Sequence, residues 1–140
     1  MRDRPCWQLL PTLLLAASCA TDPEELDWLW DLDGTRWRCM SMGGAPPLAG
    51  TELTLEFDRE RMQGSAGVNR YFTSWAGTHD AMAVGVVATT RLVRDEPAGA
   101  MVQETKFVEL LRATRSAEQV GGELVFRTPD GGELRFASLD

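Results

Sequence analysis

Histidine and lysine, two of the side chains that enzymes use most often for chemistry, are scarce in this chain of 140 residues. It has one histidine, His79, and one lysine, Lys106. No second histidine or cysteine stands at metal-ligand spacing, and phosphate-binding, dinucleotide-binding and nucleophile-elbow motifs are missing. We interpret His79, in the polar stretch Gly77–Asp80, as a solvated surface residue. The sequence therefore predicts a protein that is not an enzyme and that uses no metal and no cofactor.

Positive charge is also scarce, since the formal net charge is −7 and the arginines are scattered. An acidic surface without a basic stripe repels phosphate backbones, so nucleic acid is not an expected partner. Hydrophobic residues make up 44% and charged residues 25%, which is ordinary for a folded globular domain. The length suits a single domain.

No apolar run is long enough to cross a bilayer, which needs about 20 residues. The apolar stretch Leu9–Ser18 follows two arginines and is typical of a signal peptide. It leads into Leu15–Cys19, which resembles a bacterial lipobox, although Ala16 stands where leucine is most common. We predict a lipoprotein signal peptide over residues 1–18 and a lipid on Cys19, which would anchor the protein to a membrane.

The alternative to lipidation is ordinary secretion, with Ser18 and Ala20 at the −3 and −1 positions of a conventional cleavage site. If Cys19 is lipidated, Ala20 after it differs from the aspartate that retains lipoproteins in the inner membrane. We therefore expect the outer membrane of the cell envelope, with the protein facing the periplasm.

The segment from residue 19 to residue 31 is predicted to be an acidic tether, and residues 32–140 the folded domain. Trp28 and Trp30 near the end of the tether would either pack on the domain or form an interfacial patch. Cys39 has no partner for an internal disulfide once Cys6 is removed and Cys19 is lipidated. We interpret Cys39 as a small buried hydrophobe, with a reactive thiol as the alternative.

Alternating apolar residues predict several antiparallel strands, and a period of 3.6 residues predicts one helix. Asp95 would cap that helix, and Met101, Val108 and Leu111 would lie on its apolar stripe, with Glu104 outside the stripe. Gly85 indicates a bulge or a close approach within the fifth strand. The predicted strands are Thr35–Met42, Thr51–Phe57, Arg61–Ser65, Tyr71–Trp75, Ala81–Thr90, Glu123–Thr128 and Glu133–Ala137, and the helix is Pro97–Thr114. This order predicts an α+β fold: a strongly bent antiparallel β-sheet or incomplete β-barrel packed against one α-helix.

The pattern resembles the META domain (HslJ-like) family of bacterial envelope proteins. Its most specific part is a G-x-x-G-x-N-x-Y segment, here Gly64–Tyr71. The other matching segments are Leu32–Trp37, Leu53–Phe57, Ala88–Arg94, Glu104–Leu111 and Leu134–Phe136. The family's two motif cysteines fall on Val68 and Arg94, so a disulfide between those motifs is missing from this chain.

Asn69, Arg70, Tyr71 and Thr90 are the candidate site residues of the domain. In one interpretation Asn69 bonds the local backbone and Tyr71 packs in the core, so the motif is structural. In the other interpretation the four residues form a recognition edge.

The resemblance implies a role in envelope maintenance or stress tolerance. The domain would bind either an envelope protein partner or an apolar ligand such as an acyl chain. A cavity lined by Leu53, Leu55, Val84, Val86 and Met101 would favour the ligand. The alternative function is a secreted or periplasmic inhibitor or regulator of an envelope enzyme, acting through the loop Gly43–Gly50.

Overall fold

The computed structural model of the chain describes residues 32–78 and 80–140. The predicted signal peptide, the lipid site Cys19, the tether with Trp28 and Trp30, and His79 all lie outside the described residues. The described part contains nine strands and one helix. In chain order they are β1 Arg36–Met42, β2 Thr54–Asp58, β3 Arg61–Ser65, β4 Arg70–Gly77, β5 Met82–Val84, β6 Ala88–Thr89, α1 Ala100–Ala113, β7 Ser116–Val120, β8 Glu123–Arg127 and β9 Glu133–Ser138.

The strands form one antiparallel sheet in the order β5-β4-β3-β2-β1-β9-β8-β7, with β6 also paired to β4. The two ends of the sheet approach each other where the Met82 N–H donates to the Arg115 carbonyl at 2.7 Å. The sheet is therefore a nearly closed barrel, and over the described residues the predicted α+β fold, an incomplete barrel packed against one helix, is confirmed.

The inward faces of the strands fill the barrel with side chains. Leu53, Leu55 and Phe57 are buried as their alternation predicts, and Trp37 and Cys39 are buried on β1. An edge-to-face aromatic series continues the core, through Tyr71–Phe107, Phe107–Phe136 and Phe126–Phe136. The predicted core strands are thus found with the predicted faces inward.

Helix α1 begins three residues later than predicted. Asp95 is the predicted cap, and its carboxylate accepts the backbone N–H groups of Gly99 at 3.2 Å and Met101 at 3.0 Å. Phe107 and Leu111 are fully buried, whereas Met101 is only half-buried. The placement of Glu104 outside the buried face is wrong, because Glu104 is 7% exposed.

The single strand predicted over Ala81–Thr90 is broken into β5 and β6 by a bulge. The register shifts by one residue between the pairs Trp75–Val84 and Phe72–Ala88. Gly85 lies at this break, where an added Cβ atom would be 2.6 Å from the Ser74 hydroxyl. The sequence predicts a bulge or a close approach at Gly85, and the structure has both.

Strand β7 has no counterpart among the predicted strands. Its only buried residue is Ala117, so its sequence lacks the apolar alternation of a half-buried strand. Backbone pairing to β8 along Ser116–Val120 forms the strand instead.

Candidate functional site

The G-x-x-G-x-N-x-Y segment meets α1 in a buried polar network. Oε2 of Glu104 accepts the backbone N–H groups of Val68 at 3.0 Å and Asn69 at 2.7 Å. Oε1 of Glu104 accepts the side-chain amide of Asn69 at 2.7 Å. Asn69 is 3% exposed, so both side chains are inside the domain. Three hydrogen bonds therefore satisfy the buried carboxylate and tie the loop to the helix.

The other side of the Asn69 amide holds the segment that follows β6. Its oxygen accepts the Thr90 hydroxyl at 2.9 Å and the Leu92 N–H at 2.6 Å. Its nitrogen also donates to the Leu92 carbonyl at 3.1 Å. The Thr90 hydroxyl oxygen accepts the Arg70 N–H at 3.1 Å. Asn69 thus joins three parts of the chain: its own loop, α1 and the Thr90–Leu92 segment.

Two residues of the motif are fixed by close contacts with β2. An added Cβ atom on Gly64 would lie 2.2 Å from the Thr54 carbonyl oxygen, so only glycine fits beside that strand. The Tyr71 hydroxyl donates to the same carbonyl at 2.5 Å. Complete burial raises the pKa of Tyr71 well above its ordinary value, so the hydroxyl is protonated and acts as a donor.

The four candidate residues therefore have different positions. Asn69, Tyr71 and Thr90 are engaged in internal hydrogen bonds, whereas the Arg70 side chain is exposed. This geometry favours the structural interpretation of the motif. The central partner, Glu104, was missed by sequence reasoning. Glu104 lies three residues before Phe107 and seven residues before Leu111. This spacing places all three residues on one face of a helix, and it could have identified Glu104 from the sequence.

Val68 and Arg94 occupy the positions where the resemblance places the motif cysteines. The two segments that carry them are joined here by the hydrogen bonds between Asn69 and Leu92. The network thus connects the two motifs without a covalent bond.

Cys39 is 4% exposed on the inner face of β1. Burial raises the pKa of the Cys39 thiol to about 11, opposed by a hydrogen bond with the Ser41 backbone. The thiol is therefore protonated at neutral pH, which favours the interpretation of Cys39 as a buried hydrophobe.

The five side chains expected to line a ligand cavity do not share one space. Leu53 and Leu55 are 1% and 0% exposed within the core, whereas Val86 is 89% exposed on the bulge after β5. Met101 is half-buried on α1. In residues 32–78 and 80–140, no group of three or more His, Cys, Asp or Glu side chains could hold a metal ion.

Two open grooves on the described surface share Val84 and Gly85. One groove, of about 560 Å³, lies between the end of β5 and the C-terminal half of α1. The other, of about 1000 Å³, lies between the β2–β3 turn and the ends of β4 and β5. The smaller groove is lined by Val84, Gly85, Val86, Glu109, Arg112, Ala113 and Arg115. The larger groove is lined by Asp33, Arg59, Glu60, Ser74, Trp75, Ala76, Gly77, Ala83, Val84 and Gly85.

The described residues form an incomplete antiparallel barrel that packs against one helix, and a buried Asn–Glu network joins the motif to that helix. These features define a small α+β domain of the incomplete-barrel class. The chain belongs to the META-domain family, since the model of that family, described as META domain, matches residues 30–140. No helix in the described part of the chain has both the length and the apolarity needed to cross a bilayer.

Two solved structures share the fold. An NMR structure of a protein from Burkholderia xenovorans has a TM-score of 0.64 and 24% identity, and the alignment covers 85% of this chain and 91% of that one. Another protein solved by NMR has a TM-score of 0.63 and 17% identity, with 78% and 92% of the two chains covered. No curated protein matches the sequence.

Proposed function

We propose that the protein is a non-enzymatic lipoprotein of the bacterial envelope, anchored through Cys19, whose META domain binds a protein partner at its surface. In this proposal the lipid holds the protein at the outer membrane, facing the periplasm, and the complex serves envelope maintenance or stress tolerance. Support for the anchor comes from the lipobox-like segment Leu15–Cys19 and the signal-peptide character of Leu9–Ser18.

Side chains fill the interior of the barrel, and this observation favours a partner at the surface over a ligand inside. Five large aromatic side chains in the interior are each less than 2% exposed: Tyr71, Phe57, Phe107, Phe126 and Phe136. An acyl chain inside the barrel would have to displace them at the cost of their packing. Exposed apolar side chains such as Val86 and Val93 are available on the outside instead.

An inhibitor that inserts the loop Gly43–Gly50 into an envelope enzyme is less well supported. The Leu48 N–H donates to Gln103 Oε1 at 2.7 Å, and Gln103 also donates to the Thr51 hydroxyl at 3.0 Å. The loop is therefore held against α1, and insertion into an active site would have to break these bonds.

Intact mass of the membrane-extracted protein tests the anchor. We expect a chain that begins at Cys19 and carries lipid, and Cys19→Ala should abolish the lipid mass. Cys39→Ala is the matched control and should keep it, because Cys39 is buried in the domain. An unmodified chain beginning at Thr21 would refute the lipoprotein proposal.

A fluorescent fatty acid tests the choice between a protein partner and an acyl ligand. With a filled core we expect no saturable binding to the extracted protein. Stoichiometric binding that unlabelled fatty acid displaces would contradict a surface-binding role and favour a carrier.

A further inference from the structure

The barrel is least complete between β5 and β7. Within the described part of the chain, a single backbone hydrogen bond, from the Met82 N–H to the Arg115 carbonyl, links β5 to the start of β7. Beyond that bond the two ends of the sheet separate, and the C-terminal half of α1 faces the gap. One edge of β5 is therefore an unpaired strand edge, the part of a sheet where another strand can add.

The backbone of β5 alternates in the direction of its polar groups. The Gly85 N–H points toward β4, because it donates to the Ser74 carbonyl at 2.9 Å, whereas the Met82 N–H points away toward Arg115. Backbone groups two residues apart on an antiparallel strand point the same way. The N–H and C=O of Val84 thus face the gap, and they have no hydrogen-bond partner among the residues described.

The groove in front of this edge offers both apolar and charged contacts. Val86 and Val84 both line the groove: Val86 is 89% exposed, and Val84 is half-buried. Arg112 lies on the helix wall, where Glu109 also lines the groove, and Arg112 forms no ion pair with Glu109 or any other described residue. Arg115 at the closed end donates to the Arg112 and Thr114 carbonyls, so its position is fixed.

We propose that this groove binds an extended segment of a protein partner, which adds as a strand to the free edge of β5. The Val84 N–H and C=O would pair with the incoming backbone and continue the ladder that the Met82–Arg115 bond begins. Alternate apolar side chains of the segment would cover Val86, and a carboxylate would face Arg112. This inference rests on the proposed surface-binding function and names its site.

The chemistry of the groove favours a peptide over an acyl chain. A hydrocarbon would cover the free N–H and C=O of Val84 without bonding them, which is costly, whereas a backbone satisfies both. It would also offer no carboxylate to the guanidinium of Arg112. The partner is therefore expected to carry an acidic residue within an extended apolar sequence.

Hydrogen exchange at single amides is the direct test. The probe is a peptide selected from a displayed library of random dodecapeptides against the membrane-extracted protein in detergent. The bound peptide should slow exchange of the Val84 amide by about tenfold or more, the equivalent of one added backbone hydrogen bond. The Gly85 amide, already bonded to Ser74, should change little.

Changes to the protein and to the peptide distinguish strand addition from non-specific binding. Val84→Pro removes the outward N–H and should weaken peptide binding by about tenfold. N-methylation of alternate peptide amides should have the same effect while leaving the protein unaltered, which keeps the test valid if the proline variant does not fold. Val86→Asp should also weaken binding, whereas Val102→Asp, at an exposed valine on α1, is the matched control and should not.

Three other outcomes would each contradict strand addition by a protein partner, and each has a different consequence for the proposed function. Protection at another surface would refute strand addition at β5 and leave the surface-binding function standing. Protection of Val84 by the protein itself at rising concentration, with no peptide present, would identify a second copy as the occupant. Failure of the library to yield any binder would refute the site, and saturable fatty-acid binding in addition would refute the proposed function.

Discussion

Glu104 and Asn69, 35 residues apart in the chain, form the central polar contact of the domain, with 2.7 Å between Oε1 and Nδ2. The same carboxylate accepts the Asn69 N–H at 2.7 Å and the Val68 N–H at 3.0 Å. A buried carboxylate is tolerated only when such donors replace water. The contact therefore explains why a charged residue stands on the buried face of α1 beside Phe107.

Replacing Glu104 with glutamine should destabilise the domain. The glutamine amide would turn an NH₂ group toward N–H donors, leaving at least one buried donor unpaired. We expect a loss of about 2–3 kcal/mol in the free energy of unfolding, measured by urea denaturation followed by tryptophan fluorescence. Glu109→Gln, at an exposed position of the same helix, should change it by no more than about 0.5 kcal/mol. Equal losses in the two variants would contradict a special role for Glu104.

Replacing Asn69 with alanine should release the segment after β6. The Leu92 N–H would lose its acceptor, which now lies 2.6 Å away, and Thr90 would lose its bond to the same atom. We expect faster hydrogen exchange at the Leu92 amide and a loss of about 2 kcal/mol in unfolding free energy. The control is Arg70→Ala, which alters an exposed neighbour. If Arg70→Ala accelerates exchange at the Leu92 amide as much as Asn69→Ala does, the protection of that amide does not depend on the Asn69 side chain.

The Cys39 thiol should be unreactive while the domain is folded. Because burial raises its pKa to about 11, the thiolate is scarce at pH 8, and the residue is only 4% exposed. Alkylation by iodoacetamide should proceed only after denaturation. The ordinary pKa of 9.0 is lower than the folded value, so stability is retained below about pH 9 and declines as the pH rises toward 11. Cys39→Ala should remove the part of that decline between pH 9 and 10, because the raised pKa of Tyr71 adds its own loss only above the ordinary tyrosine value of 10.0. An unchanged pH dependence between pH 9 and 10 would contradict the assignment.

Asp95 should contribute stability that acid removes. The N–H groups of Met101 and Gly99 lower the pKa of its carboxyl below the ordinary 3.8. A lowered folded pKa means that the contribution is present above pH 4 and is lost as the pH falls through the folded value. Thermal unfolding of Asp95→Ala should therefore show a lower midpoint at pH 7 and a smaller difference at pH 2.5. Glu96→Gln is the control; a constant difference across this range would contradict capping by the charged form.

The spacing of apolar residues along the sequence predicted most of the strands and the helix. In the predicted strand Thr51–Phe57 the alternation of Leu53, Leu55 and Phe57 predicts one buried face, and the structure buries all three, although β2 begins only at Thr54. The turn residues between β8 and β9 likewise predict the C-terminal hairpin. Strand β7 could not be predicted this way, because backbone pairing and not side-chain burial holds it in the sheet.

The sequence by itself determined the family and the fold class, because the motif Gly64–Tyr71 and the apolar periods are local properties of the chain. Only the tertiary structure decided what the motif does. Glu104 lies far from Asn69 in sequence, and its burial depends on donors that the fold brings to it. The same holds for the free edge of β5: no local pattern records which side of a strand lacks a neighbour, since pairing is a relation between distant segments.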